Sequence, residues 1–185
     1  MNSINIISKH ILKNNKELIL IKPDPEYAEA VVEFIKTVDE ESPFLGRESR
    51  DARLSVTEMG ESLKAKSSSE NEAYFIGIID GAIVVECSVS SISSRVRFAH
   101  RSRFGIVVLK KYWGIGIGRI AVNECINLSK YYGYEQLELG VSVENEAAIN
   151  LYKSLGFEIY GTIKHAMKYA DGNYADEHSM VLYFK

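Results

Sequence analysis

Cysteine is scarce in this 185-residue sequence, which has only Cys87 and Cys125. Both lie inside apolar patterns and show no metal-ligand spacing, so neither a disulfide framework nor a metal site is expected. They read as buried, reduced thiols of a cytoplasmic protein. No apolar run approaches the ~18 residues of a membrane span. The N-terminus has Lys9, His10 and Lys13 among isoleucines and lacks the compact apolar stretch and cleavage site of a secretion signal. A basic excess is missing too. The formal net charge is −3, whereas broad nucleic-acid binding needs a basic face to displace counterions. There is no internal repeat, no low-complexity segment and no linker. No G-x-x-x-x-G-K-[S/T] occurs, which excludes an ATP-binding P-loop.

What is present fits one domain with a proper core. A loosely held arm is expected over 1–15, followed by a single domain over 16–185. "ELILIKPD" (17–24) predicts a strand ended by Pro23. Asp24 and Pro25 read as an N-cap and a first-turn proline. The helix they open is expected to end near Thr37, before the loop "DEESPFLGRES". "SVTE" (55–58) fits a capping box opening a second helix. "AYFIGIID" and "AIVVECSVS" flank Asp80-Gly81, a favoured hairpin turn. "RFGIVVLKKY" (103–112) is a third apolar run. A glycine stretch, a helix to about Tyr132, a strand "EQLELGVS" and a short helix over 146–155 follow. Gly156 caps that helix, and two closing strands flank Asp171-Gly172. The order β-α-α-β-β-β-α-β-α-β-β predicts an α/β protein: a mixed, mostly antiparallel sheet with helices on both faces.

"YWGIGIGR" (112–119) is the most informative stretch. Three glycines at alternate positions stand where a strand hands over to a helix. Gly116-Ile117-Gly118-Arg119-Ile120-Ala121 matches the G-x-G-x-x-G/A dinucleotide fingerprint. That fingerprint belongs at the first turn of a parallel sheet, whereas antiparallel-type strands precede it here. Glu138 has the spacing of the fingerprint's acid but lies inside its strand. The physical content stands regardless. Unpaired amides at a helix N-terminus suit a pyrophosphate, with Lys110, Lys111 and Arg119 as rim cations. Packing of strand against helix is the competing reason for the glycines.

With these residues the sequence resembles the GNAT N-acetyltransferases. Their acetyl-CoA motif is a strand followed by Gln/Arg-x-x-Gly-x-Gly/Ala at a helix start. Here Trp113-Gly114-Ile115-Gly116-Ile117-Gly118 occupies it, with Trp113 in place of Gln or Arg. That variant is similar to the ribosomal-protein and spermidine acetyltransferase branch. "NEAAINLYKSLGF" (145–157) resembles the family's second signature at Asn145, Ala148, Tyr152, Gly156 and Phe157. The likeness spans about 17–184.

The resemblance implies a GNAT-like fold whose central strand splays from its neighbour at a bulge, around Ile106–Val108. It implies acetyl-CoA as co-substrate, held by Ile106, Val107, Val108, Trp113, Gly114, Ile115, Gly116, Ile117, Gly118, Arg119, Asn145 and Tyr152. The Ile106 amide would polarise the thioester carbonyl. Tyr152, two helical turns from Asn145, would be the general acid for the leaving thiolate. Asn145 is a ligand contact, a helix cap, or both.

The family's glutamate base is missing: Ser102 or Arg103 stands there, and no acid lies between Glu86 and Glu124. Glu41, Glu86, Glu138, His100 or water remain as candidates. Asp39, Glu40 and Glu41 are either an attractor for a cationic amine or a solvated helix end. Arg95, Arg97, Arg101 and Arg103 form a basic stretch, read as a solvated hairpin or as a docking patch for an acidic partner. The acceptor is expected to be a small amine or a protein N-terminus. A homodimer is implied only through the family's closing strands. Acyl-CoA binding without turnover is the alternative.

Overall fold

Strand β3 (Ala73–Ile79) shows how the architecture follows from the sequence. Its residues alternate between two cores, as the two-residue period of a strand requires. Ala73, Phe75 and Ile79 join one apolar cluster, while Tyr74 and Ile76 join the other. A strand buried on both faces needs a helical layer on each side. The computed structural model, which describes residues 5–47, 51 and 54–184, supplies both layers.

The remaining strands are β1 (Asn5–Ile11), β2 (Glu17–Lys22), β4 (Ala82–Ser91), β5 (Arg101–Val108), β6 (Gln136–Ser142), β7 (Glu158–Lys168) and β8 (Tyr174–Tyr183). They form one eight-stranded sheet in the order β1-β2-β3-β4-β5-β6-β8-β7. Among the described residues only β5 and β6 run parallel. Helices α1 (Ala28–Glu41) and α2 (Val56–Ser67) cover one face through Val31, Phe34, Val38, Met59 and Leu63. Helices α3 (Ile117–Tyr131) and α4 (Glu146–Ser154) cover the other through Ile117, Ala121, Val122, Cys125, Ile149 and Tyr152. The mixed, mostly antiparallel α/β class expected from the sequence is the one observed.

Local signals landed where their chemistry demanded. Asp24 accepts from the Glu26 amide and opens a 3-10 turn leading into α1. Ser55 and Glu58 form the full capping box of α2. Asp80 and Gly81 both take positive φ, at 49° and 82°, as the hairpin turn needs. Cys87 and Cys125 are buried and free.

Three expectations are corrected. Residues 5–11 of the arm expected over 1–15 form strand β1, paired antiparallel with β2. A register shift between Ile6 and Ser8 breaks its alternation and hides the strand in the sequence. Helix α1 continues past Thr37 to Glu41. Acids at a helix C-terminus oppose the dipole, but buried Asp39 is compensated by an ion pair with Arg47 at 2.5 Å. The run 103–112 ends as a strand at Val108, and Lys110–Tyr112 form a single 3-10 turn.

Gly77 marks the tightest point of the core. A Cβ there would overlap Val85 Cγ1 and stand 2.9 Å from Leu18 Cδ1. Gly77→Ala is therefore expected to cost ~1–3 kcal/mol by overpacking. At ~2–4 °C per kcal/mol for a chain of this size, a thermal melt should show a fall of roughly 5 °C.

Candidate active site

Parallel strands β5 and β6 begin side by side and then part. Their ladder covers only Arg101↔Gln136, Ser102↔Leu137 and Arg103↔Glu138. β5 nevertheless runs on to Val108 and β6 to Ser142. The expected splay is thus present as a fork. On its other side β5 keeps unbroken register with β4 from Ser102 to Val108. The fork therefore opens without the register shift of a bulge in that ladder. Facing edges of two strands are left without each other, and backbone groups there need a partner.

A cleft of about 790 Å³ fills the fork and continues to the N-terminus of α3. Its walls include Ile106, Val107, Val108, Trp113, Gly114, Gly116, Gly118, Arg119, Asn145 and Tyr152. Ten of the twelve residues expected to hold the co-substrate therefore line one space. Ile115 and Ile117 do not. Ile117 is buried in the core and Ile115 packs against it, so only their backbone is near the turn.

The three glycines have two different reasons. Gly114 and Gly116 adopt φ of 78° and 100°, and a Cβ at either would meet nothing within 4 Å. They are required by backbone conformation. Gly118 has no such φ, but its Cβ would stand 3.2 Å from Leu151 Cδ2. It lets α3 approach α4, so the packing reason holds for this glycine alone. Gly116 is the N-cap of α3 and offers no side chain to the first amides. Those donors stay open toward the cleft at the positive end of the dipole. Arg119 lines the cleft and donates from Nη2 to Ser154 Oγ at 2.7 Å. Lys110 and Lys111 do not line it; Lys13, in the turn after β1, does. Reading 1–15 as an arm concealed that cation.

Trp113 donates its indole N–H to the Val108 carbonyl at 2.7 Å. It closes the end of β5 where the family motif has Gln or Arg. Asn145 caps α4 by accepting from the Ala148 amide at 3.2 Å, and it also lines the cleft. Tyr152 is only 7% exposed yet reaches the cleft. Phe104 meets its ring edge-on at 5.8 Å, and Phe157 lies at 5.9 Å. Its hydroxyl has no hydrogen-bond partner among the described residues. Burial pushes this phenol well above its ordinary range, and the nearby thiols of Cys87 and Cys125 add to the shift. The phenol, protonated at neutral pH in any case, thereby stays so further into the alkaline range.

The candidate bases are scattered. Glu138 is held by Arg101 in two hydrogen bonds of 2.6 and 2.7 Å, with Gln136 and Tyr160 also donating to it. Burial alone would raise its pKa, but these donors and the Arg101 charge hold it below the usual range. It is a structural anion, and Arg101 is removed from the expected basic stretch. Glu41 accepts from the Lys110 amide at 2.9 Å. The His100 carbonyl accepts from the Glu135 amide. Glu86 faces a second cavity of about 260 Å³ under α1 and α2, beside Tyr74 and Arg47. Burial raises its carboxyl. Ser42, Phe44 and Leu45, from the loop "DEESPFLGRES", line the main cleft; Glu48 and Ser49 of that loop lie outside the described residues. Gly140 and Ser142 line it too and were not anticipated. A glycine inside the strand "LELGVS" was the available signal, because it marks close approach of another group.

A sheet forked at its parallel pair, with a glycine-turned helix N-terminus at the mouth and a tyrosine in the wall, suits an extended, phosphate-bearing ligand. Residues 35–157 match the family described as Acetyltransferase (GNAT) family, and the chain belongs to it. It is 34% identical over 108 residues to the L-amino acid N-acetyltransferase AaaT of Escherichia coli. That match covers 57% of this chain and 64% of the relative, so the chain spans under two thirds of the relative's length. An acetyltransferase of the GNAT family from Streptococcus pneumoniae superposes with a TM-score of 0.85 at 27% identity, covering 90% of this chain and 99% of that one. The structure of yncA from Salmonella typhimurium, with its cofactor acetyl-CoA, has a TM-score of 0.79 at 17% identity over 91% of this chain and 94% of that one. Acetyl-CoA is the co-substrate of this family.

Proposed function

We propose that this protein transfers the acetyl group of acetyl-CoA to a primary amine by direct attack while both substrates are bound. The observation that carries the reading is the forked β5/β6 edge leading from Tyr152 to the open amides of α3. The turn 114–118, Lys13 and Arg119 would hold the pyrophosphate. The free edge of β5 at Ile106–Val108 would pair with the amide-bearing arm as an added strand. The Ile106 amide would then donate to the thioester oxygen as negative charge develops there. A neutral amine attacks the carbonyl carbon, the N–C bond forms and the C–S bond breaks. Tyr152 gives its proton to the departing sulfur and recovers one from the proton the amine releases.

An α-amino group is the acceptor class favoured here, supported by the amino-acid acceptor named for the 34%-identical relative. The single-domain organisation, a cytoplasmic location and a homodimer remain parts of the same reading. No helix among the described residues is long and apolar enough to cross a membrane.

The test is release of coenzyme A thiol from acetyl-CoA with L-amino acids, their amides and the tripeptide Ala-Ala-Ala as acceptors. Amine-dependent release supports transfer. Tight acetyl-CoA binding without release from any of them would favour a binding module. Because burial raises the Tyr152 phenol, kcat should show no alkaline fall from its ionisation up to about pH 10, the ordinary tyrosine pKa. A falling limb near pH 9 that disappears in Tyr152→Phe would contradict that environment.

A further inference from the structure

The fork has two faces, and they carry different chemistry. Phe104, Ile106 and Val108 of β5 and Leu137, Leu139 and Val141 of β6 pack toward α3 and α4. Tyr152 belongs to that side. Strand alternation turns Gly105 and Gly140 to the opposite face. Both flank the diverging edges, and Gly140 lines the cleft. Its missing side chain leaves a space that another group occupies. The carboxylate of Glu177 on β8 lies there, with Oε1, Cδ and Oε2 at 2.5, 2.6 and 2.8 Å from where a Cβ would be. The register explains the reach. Glu177 pairs with Ser142, so Gly140 is its diagonal neighbour on the same face.

We infer that Glu177 is the general base of this acetyltransferase, held against Gly140 of the cleft wall by the absence of a side chain there. This rests on the function proposed above and supplies the group that the sequence left unassigned. An α-amine is largely an ammonium at neutral pH and attacks only after losing a proton. The Glu177 carboxylate takes that proton, directly or through one water. The nitrogen lone pair forms the N–C bond, the C–S electrons leave with sulfur, and Tyr152 protonates the thiolate from the other face of the fork. The net products are the acetamide, the coenzyme A thiol and one proton.

The surroundings favour Glu177 over the other acids. Its carboxylate has no hydrogen bond or ion pair among the described residues, so its lone pairs are available. Several charged groups on the flanking strands are engaged elsewhere. On β6, Glu138 is bound to Arg101. Lys164 of β7 pairs with Asp176 of β8. His178 shares a hydrogen bond with Thr162, and His165 stacks on Tyr174. Glu144 and Glu146 line the cleft but lie exposed at the start of α4. Glu86 faces the separate cavity under α1 and α2.

The test compares wild type, Glu177→Gln and Glu177→Asp between pH 6 and pH 9, using acetyl-CoA and whichever of the amino-acid amides or Ala-Ala-Ala, whose α-amines have pKa ~8, serves wild type best. General-base catalysis contributes ~100-fold or more. Glu177→Gln should lose about 100-fold in kcat at pH 6–7, with the amine KM and acetyl-CoA affinity changed less than about threefold. The deficit should shrink at least tenfold by pH 9, because an α-amine with pKa ~8 is then free without help. Glu177→Asp, which keeps the carboxylate, should retain the wild-type profile at intermediate rate. Glu177→Gln with near-wild-type kcat at pH 6, or a deficit equal at pH 6 and pH 9, overturns the inference while leaving an active wild type and the proposed function intact. An inactive wild type that fails to bind acetyl-CoA would instead remove the proposed function, and the base with it.

Discussion

Tyr152→Phe is expected to lower kcat by ~100-fold or more while leaving acetyl-CoA affinity and the melting temperature close to wild type. The substitution removes one oxygen and keeps the ring. Packing should survive, because Phe104 and Phe157 hold Tyr152 through its ring, at 5.8 and 5.9 Å. The hydroxyl makes no hydrogen bond to the described protein, so its removal leaves no orphaned partner. A residue kept only for the core would show the opposite pattern: no change in rate and a similar or slightly higher stability. Steady-state kinetics beside a thermal melt separates the two. Equal losses in kcat and kcat/KM would place the lost interaction in the transition state.

Gly116→Glu should weaken acetyl-CoA binding by about 100-fold. Two effects combine. At φ 100° a side chain is strained by roughly 1–3 kcal/mol, although its Cβ would meet nothing within 4 Å. The new carboxylate would also stand at the N-cap of α3, where it takes up the dipole and repels a pyrophosphate. Gly116→Ala carries the strain without the charge. Its melting temperature should fall at least as far as that of Gly116→Glu, because an acid at a helix N-terminus offsets part of the cost. Its acetyl-CoA affinity should fall less, by about tenfold. Calorimetric titration of both variants reads the difference. Equal losses would mean that conformation alone, with no anion at the helix end, governs binding.

Much of the site was legible in the sequence because local chemistry fixed it. Glycines at 114 and 116 announce positive φ, and Asn145 with Gly156 brackets a short helix. Tyr152 and Phe157 were placed by spacing and by likeness to known acetyltransferases. The groups that stayed hidden depend on pairing between distant segments. Glu177 reaches Gly140 only because β8 pairs with β6 in one register, 37 positions beyond Gly140 in the chain. Glu138 looked free until Arg101, from another strand, occupied both its oxygens. Lys13 enters the cleft only because residues 5–11 form a strand, and a register shift disguises that strand. The Gly118 side of the glycine question needed α4 in place, since Leu151 is what a side chain would meet.

The measurement that bears most directly on the account is amide chemical-shift mapping of the folded chain as acetyl-CoA is added. The predicted result is saturable shifts concentrated at 104–108, at Gly114, Gly116 and Gly118, and along 140–152, with NAD producing none. Shifts centred instead on Tyr74, Glu86 and the cavity beneath α1 and α2, or equal shifts with NAD, would contradict the claim that the β5/β6 fork and the α3 N-terminus together hold the acetyl donor.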